Sequence, residues 1–410
     1  MLSRLGFPPI GEHRRFVGAL GIDALGSGIW MPLSLLYFLH ETHLDLVQLG
    51  LAMTVANALV FPMVPAVGHF VDALGAKKMM QSGNVIQAVA FALYPLASNT
   101  PEVGAVVAAA TLGRTCFWGA NGPLITQITR PGERELWFGF VGALRNAGYG
   151  VGGVLAAVAL GIGTHAAYHA VVLANAASYV GAFVLMLGVS GGQRPAPAAA
   201  SEGGWRVVLR DRAYRWLIAS TFCYAMTEMV LNVAMPVYFA HLLHLPGWIP
   251  GVVFVINTVM IGVGQGLVVR TMTGVVRIRV LLTAICFTAS SFAMFWTADA
   301  LSVRTGLVLV LAAAVVYTLG EMVAGPVVGA LAAETPPPAL RGRYMSANQL
   351  AWNASGAIAP LVYTALLARG SAAMWGGALV VCLLWSLVLV VVRRRMPLAG
   401  RPVTNAAVPG

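Results

Sequence analysis

Charge is scarce in this sequence. Only 10% of its 410 residues are Asp, Glu, Lys or Arg, while 59% are hydrophobic. A soluble globule of that length would carry far more charge. Lysine occurs only as Lys77 and Lys78, and the other basic residues are arginine. Cysteine is equally sparse. Cys116, Cys223, Cys286 and Cys382 stand singly in apolar runs, so neither a disulfide framework nor a metal-ligand spacing is present. Phosphate-binding loops and nucleophile constellations are missing too, which speaks against an enzyme and against any cofactor or metal. The net charge of +11 would suggest nucleic acid in a soluble chain. Here the basic residues sit in short breaks between apolar runs rather than in one basic domain, and no nucleic-acid partner is expected. What remains is an all-α polytopic membrane protein.

Apolar runs are plentiful. A helix needs about 20 apolar residues to cross a bilayer, and twelve such runs are read at 15–39, 46–67, 79–97, 103–128, 138–162, 167–189, 214–240, 248–269, 279–297, 305–332, 345–368 and 372–392. Residues 1–15 are polar and basic and read as a start without a cleavable signal. With that start inside, all of the 25 Lys and Arg fall in cytoplasmic segments except Arg304 and Arg369 outside and Arg114 and Arg145 within spans. By the positive-inside rule both termini are cytoplasmic. The Gly-, Pro- and Ala-rich stretch 190–213 reads as a flexible cytoplasmic linker. It separates a six-helix unit, 1–189, from a second one with a basic tail, 214–410.

The halves share an order of motifs. Asp23, Met31-Pro32 and Tyr37-Phe38 in the first span correspond to Glu228, Met235-Pro236 and Tyr238-Phe239 in the seventh. Gly122-Pro123 matches Gly325-Pro326, and Arg145-Asn146-Ala147 matches Trp352-Asn353-Ala354. Between the second and third spans lies GHFVDALGAKK, residues 68–78. It reads as a tight turn in which Gly68 and Gly75 permit a reversal. This G-x-x-x-D-x-x-G-x-K-K form resembles the loop between helices 2 and 3 of major facilitator superfamily transporters, with Ala73 and Ala76 where that family usually has basic residues. The resemblance implies the major facilitator fold: 12 transmembrane helices as two six-helix bundles related by a pseudo-two-fold axis, with the substrate site between them.

Acids inside spans are few: Asp23, Glu228 and Glu321. An ionised side chain there costs at least ~2.5–3.5 kcal/mol, so each needs water, a partner, a proton or a use. Matched positions in the two halves would let Asp23 and Glu228 face one central cavity and exchange protons; a structural acid bonded to a neighbouring helix would look the same. Arg114, in LGRTCFWGANGP, lies where the drug/proton antiporter branch of that superfamily carries an arginine, though its spacing departs by one residue. A guanidinium keeps its charge, and Asp23 is its expected partner, either as proton relay or as a structural pair. Arg145, Gly148, Gly152 and Gly153 resemble the antiporter pattern of helix 5, although glycines on one face also serve close packing.

The run from Glu321 to Gly325-Pro326, then ETPPPALRGRYMSANQ, is similar to the helix 10–11 region of multidrug antiporters in that superfamily. Asp72 would dock on the start of helix 11 beside Arg341 and Arg343, where an anion gains ~0.3–1 kcal/mol, and latch the cytoplasmic side. Cavity-lining candidates are Trp30, Tyr37, Asn57, Trp118 and Asn121 in the first half, and Tyr149 beside them. Tyr224, Asn232, Tyr238 and Trp352 complete the set in the second half. Aromatic faces with acids suit lipophilic cations. Six histidines pair at the outer face, His40/His43, His165/His169 and His241/His244; protonation would repel these ends, or the pairs would hold a metal, or they are merely solvated.

The expectation is a monomeric, proton-coupled secondary exporter of small lipophilic or cationic compounds in a bacterial plasma membrane. It would work by rocker-switch alternating access, with protons, substrate and lipid as its only partners. A dedicated exporter of one natural product or lipid, and a proton-coupled uptake symporter, are the alternatives.

Overall fold

A computed structural model describes residues 7–30, 34–130, 132–190, 204–235, 238–239, 243 and 248–404. The first half comprises α1 (Arg14–Trp30), α2 (Ser34–Glu41), α3 (Leu46–Val60), α4 (Val64–Leu74), α5 (Ala76–Leu93), α6 (Thr100–Ile128), α7 (Arg134–Ile162) and α8 (His165–Leu187). After a short α9 (Gly204–Arg210) come α10 (Arg212–Met229), α11 (Ile249–Thr271), α12 (Arg277–Ala298), α13 (Val303–Glu334), α14 (Arg341–Leu367) and α15 (Ser371–Arg395). Helices satisfy their own backbone groups, the condition for crossing hydrocarbon.

Among the described residues, 9 helical stretches are long and apolar enough to span a membrane, from Val47–Leu74 to Ser371–Arg395. Helix α1 precedes them, and α5 and α7 stand in order between them, but all three fall outside that set, being shorter or carrying polar residues such as Asp23, Lys77, Lys78 and Arg145. The lipid-facing sides are plain. Val47, Leu51, Val55 and Leu59 recur every fourth residue along α3 and are all exposed, as are Val255, Val259, Val263 and Leu267 along α11. That spacing is one face of a helix, and the apolar exposure is what a bilayer covers.

Packing repeats between the halves. In the first, α1 packs on α7 and α8, α5 on α6 and α8, and α3 on α6. In the second, α10 packs on α14 and α15, α12 on α13 and α15, and α11 on α13. These are the same partnerships six spans later. The buried hydrophobic residues form clusters that keep to one half or the other, so each bundle has its own core. Between the halves, α7 meets α11 and α13, and α14 meets α4 and α6.

Two local expectations are corrected. The stretch 68–78 is not a loop: α4 continues to Leu74 and α5 begins at Ala76, so the whole reversal rests on Gly75, with φ 94° and ψ 148°. Only glycine adopts that φ without strain, and extending both helices satisfies backbone groups that a loop would expose. The proposed flexible linker 190–213 contains α9, whose Val208 is buried, and Asp211, which caps α10 by accepting the Tyr214 N–H at 2.9 Å. Residues 191–203 lie outside the described residues. At the other end of this half the chain after α15 folds back on the α11–α12 turn, where Gly274 N–H donates to Val403 O and Val403 N–H to Val275 O, both at 2.9 Å.

Candidate functional site

The central site is built by α10 and α13. Glu228 lies at the last regular turn of α10, just before Val230–Ala234 continue as a π-helical turn, a local widening common at functional positions. Glu321 lies midway along α13. Its Oε2 accepts Asn257 Nδ2–H from α11 at 2.6 Å, and the same amide reaches Thr318 Oγ1 at 3.3 Å. The Glu228 and Glu321 carboxyls lie close enough to act on each other, with Tyr224 beside Glu228. Tyr317 packs behind them, its hydroxyl donating to Thr227 O at 3.2 Å. From the other half Arg145 on α7 acts electrostatically on both glutamates. Its guanidinium carbon lies 5.3 Å from the centre of the Trp118 ring on α6, within cation–π range. Two acids, one cation and aromatic faces thus meet where the bundles adjoin.

Asp23 stands apart from this group. It is buried on α1 near Tyr149 and Tyr179. The expected Asp23–Arg114 pair does not form: among the described residues no ion pair joins them, and Arg114 is exposed while Asp23 is buried. Gly148 and Gly152 sit against α1 so closely that an added Cβ would meet Ala24 Cβ and the Gly28 backbone carbonyl carbon, each at 2.6 Å. Both therefore serve close packing of α7 on α1. Gly153 faces open space.

The cavity-lining candidates divide. Tyr37 and Tyr238, at matched places in the repeat, are both fully buried in the bundle cores and do not line a cavity. Tyr37 joins Trp30, Phe38 and Tyr94 in an aromatic cluster, and Tyr238 donates to Phe295 O at 2.8 Å beside Trp375. Asn57 and Asn232 are exposed and bond only to their own helices, to Met53 O and Glu228 O. Asn121 is buried with an unpartnered Oδ1. Tyr224 stays with the glutamates, edge-on to Trp352 at 5.6 Å, and Tyr149 is half-buried near Arg145. Met31, Pro32, Pro236, His241 and His244 lie outside the described residues.

At the arginine-rich end the halves touch. Asp72 Oδ1 accepts Gly342 N–H at 2.6 Å, Oδ2 accepts Arg343 N–H at 3.2 Å, and Arg343 Nη1 lies 3.4 Å from Oδ2. Arg343 Nη2 also donates to His69 Nδ1 at 2.6 Å. Gly68 and Gly342 make the approach possible, since a Cβ on Gly342 would meet Gly68 O and one on Gly68 would meet the Arg343 Cα. Arg341 lies beside this contact, acting on Asp72 and Glu334.

A second contact was missed in the sequence. Arg277 at the start of α12 bonds Glu135 of α7 across the boundary, through Nε at 2.6 Å and Nη2 at 2.5 Å, and Glu334 through Nη1 at 2.8 Å. Arg134 bonds Glu334 at 3.2 Å. The available signal was the repeat: Arg134-Glu135 and Glu334 flank matching turns of the two halves. Among the described residues, the hydrogen bonds and ion pairs that cross between the halves all lie at this end, so the molecule is closed there.

At the opposite end Glu41 collects His40, His165 and His169. Burial pushes its carboxyl up, but the hydrogen bonds from His165, His40 and His169 outweigh burial and hold it below the usual carboxylate range. His43 is exposed outside this cluster.

Comparison with known proteins follows the same lines. The family model described as Major Facilitator Superfamily matches residues 16–360 and 217–407. Multidrug resistance protein MdtH of Edwardsiella ictaluri (strain 93-146) is 26% identical over 215 residues, 52% of each chain. MdtH of Yersinia enterocolitica serotype O:8 / biotype 1B is 24% identical over 220 residues, again 52% of each. The chain thus spans about half the length, 52%, of the curated relatives it matches. Among solved structures, a bacterial homologue of the iron transporter ferroportin in an outward-facing state superposes with a TM-score of 0.75 at 16% identity, covering 93% of this chain and 99% of that one. The proton:xylose symporter XylE bound to 6-bromo-6-deoxy-D-glucose gives 0.68 at 14% identity, covering 96% of both. These likenesses concern the fold.

Proposed function

The chain belongs to the major facilitator superfamily, and on that premise we propose that it is a proton-coupled secondary exporter of small lipophilic compounds, cations included. One observation carries the reading: the paired carboxyls of Glu228 and Glu321, facing Arg145 from the other half. Two carboxyls held this close share a proton, because two anions at that distance repel. Such a pair offers one site that holds either a proton or a cationic substrate, and competition for it couples the two flows. Tyr224, Trp352 and Trp118 supply flat apolar faces beside the charge.

Transport proceeds by alternating access. With the arginine-rich end closed, the acids meet the opposite side, give up substrate and take a proton. Neutralising the pair weakens its hold on Arg145 and lets the halves rock, parting the Asp72–Gly342 and Glu135–Arg277 contacts. On the other side substrate displaces the proton. Asp23, buried on α1, acts in the first half as a further proton carrier. The name of the curated relatives, multidrug resistance protein, supports export and a broad substrate range. We place the arginine-rich end and both termini in the cytoplasm, the chain in the bacterial inner membrane, and the working unit as a monomer without cofactor.

The test is direct. Purified protein goes into liposomes holding a pH-sensitive dye under an imposed proton gradient, and lipophilic cations, neutral drugs and sugars are added in turn. Proton movement triggered by lipophilic compounds and lost in Glu228→Gln and Glu321→Gln supports the reading. Substrate flux that survives both substitutions without proton movement overturns it, and concentrative accumulation driven inward makes the protein an uptake symporter.

A further inference from the structure

We propose that His40, Glu41 and His165 form a binding site for a divalent transition cation of the zinc class, at the end of the first half opposite the Asp72 contact. Nothing in the transport reading uses these residues. His40 and Glu41 close α2, and His165 opens α8, positioned by Thr164, whose side chain accepts Ala167 N–H. Their metal-binding atoms all lie within 4.8 Å of one another. His40 Nδ1 is 2.9 Å and His165 Nδ1 3.0 Å from Glu41 Oε1. Ligands about 2.0–2.1 Å from a tetrahedral zinc stand roughly 3.3 Å apart, so each imidazole nitrogen needs only a small shift away from Glu41 Oε1 to admit the ion.

The surroundings fit the same chemistry. His169 lies one turn after His165 and bonds the other carboxylate oxygen at 3.0 Å, orienting the ligand in the way outer groups do around bound metals. The His40 ring stacks on Tyr168 at 4.3 Å and 25°, which fixes its plane. Glu41 is 12% exposed and His165 73%, so the carboxylate is held inside while one imidazole faces solvent and leaves an entry path with room for a water as fourth ligand. Two imidazoles and one carboxylate select zinc, nickel or cobalt over magnesium and calcium, which prefer oxygen throughout. A bound ion would tie α2 to α8 and stiffen that end of the bundle.

The experiment is zinc titration of tag-free protein in lipid nanodiscs, followed by calorimetry and by metal content after dialysis. Wild type should bind one zinc per chain and no magnesium. The His40→Ala/His165→Ala variant should lose that zinc, His169→Ala should bind it ~10–100-fold more weakly, and Cys286→Ser, which removes the exposed thiol, should bind as wild type does. Zinc retained by the double variant, or none bound by wild type, overturns the proposal. Should the double variant not fold, His165→Asn alone carries the test, because that side chain is largely exposed.

Discussion

Arg277 Nε donates to Glu135 Oε1 at 2.6 Å across the boundary between the two halves, and both side chains are almost wholly buried, 4% and 0% exposed. Breaking a buried pair by removing one partner costs about 3–5 kcal/mol, an upper bound here because Glu334 still faces Arg277. Glu135→Gln should therefore shift the molecule away from the state closed at the arginine-rich end. Distances between spin labels on α4 and α14 would report it, as a new long-distance population absent from wild type.

Gly342→Ala tests the helix contact by volume rather than charge. The added methyl would meet Asp72 Oδ1, Gly68 O and Val71 Cβ at 2.6–2.7 Å, and overpacking of this kind costs about 1–3 kcal/mol. Closure of the arginine-rich end should weaken, raising reactivity of a cysteine placed at Ser346 toward a water-soluble maleimide. Gly153→Ala, which meets nothing within 4 Å, should leave that reactivity unchanged.

Asp72→Asn keeps the shape and removes the charge. Hydrogen bonds to an ionised group are worth about 1.5–3 kcal/mol, so roughly tenfold or more of the bias toward the closed end should go. The same spin-label distances read it. An unchanged distribution and an unchanged transport rate would dismiss Asp72 as a latch.

Asn257→Ala should impair coupling without removing either acid. Its amide is the neutral donor on Glu321 Oε2, and without it the carboxyl pair loses its orientation. Proton movement per substrate transported should fall in the liposome assay, while binding of a lipophilic cation to detergent-purified protein stays within a few-fold of wild type.

Membrane spans are a local property. About 20 apolar residues suffice to define one, and their basic flanks orient it, so hydropathy and charge along the chain carried the helical class, the repeat and the family resemblance without knowledge of any contact. The turn at 68–78 was legible as a reversal, but its reduction to Gly75 was not, because both helices grow until their backbone groups are satisfied. Site geometry needed the tertiary structure. Asp23 and Glu228 hold the same place in the repeat, yet only Glu228 meets a second acid, since the rotation and tilt of α10 against α13 decide what faces what. Glu135 and Arg277 are 142 residues apart, and Glu41 and His165 124. No periodicity within a helix records such pairs: they exist only where separate helices are packed side by side.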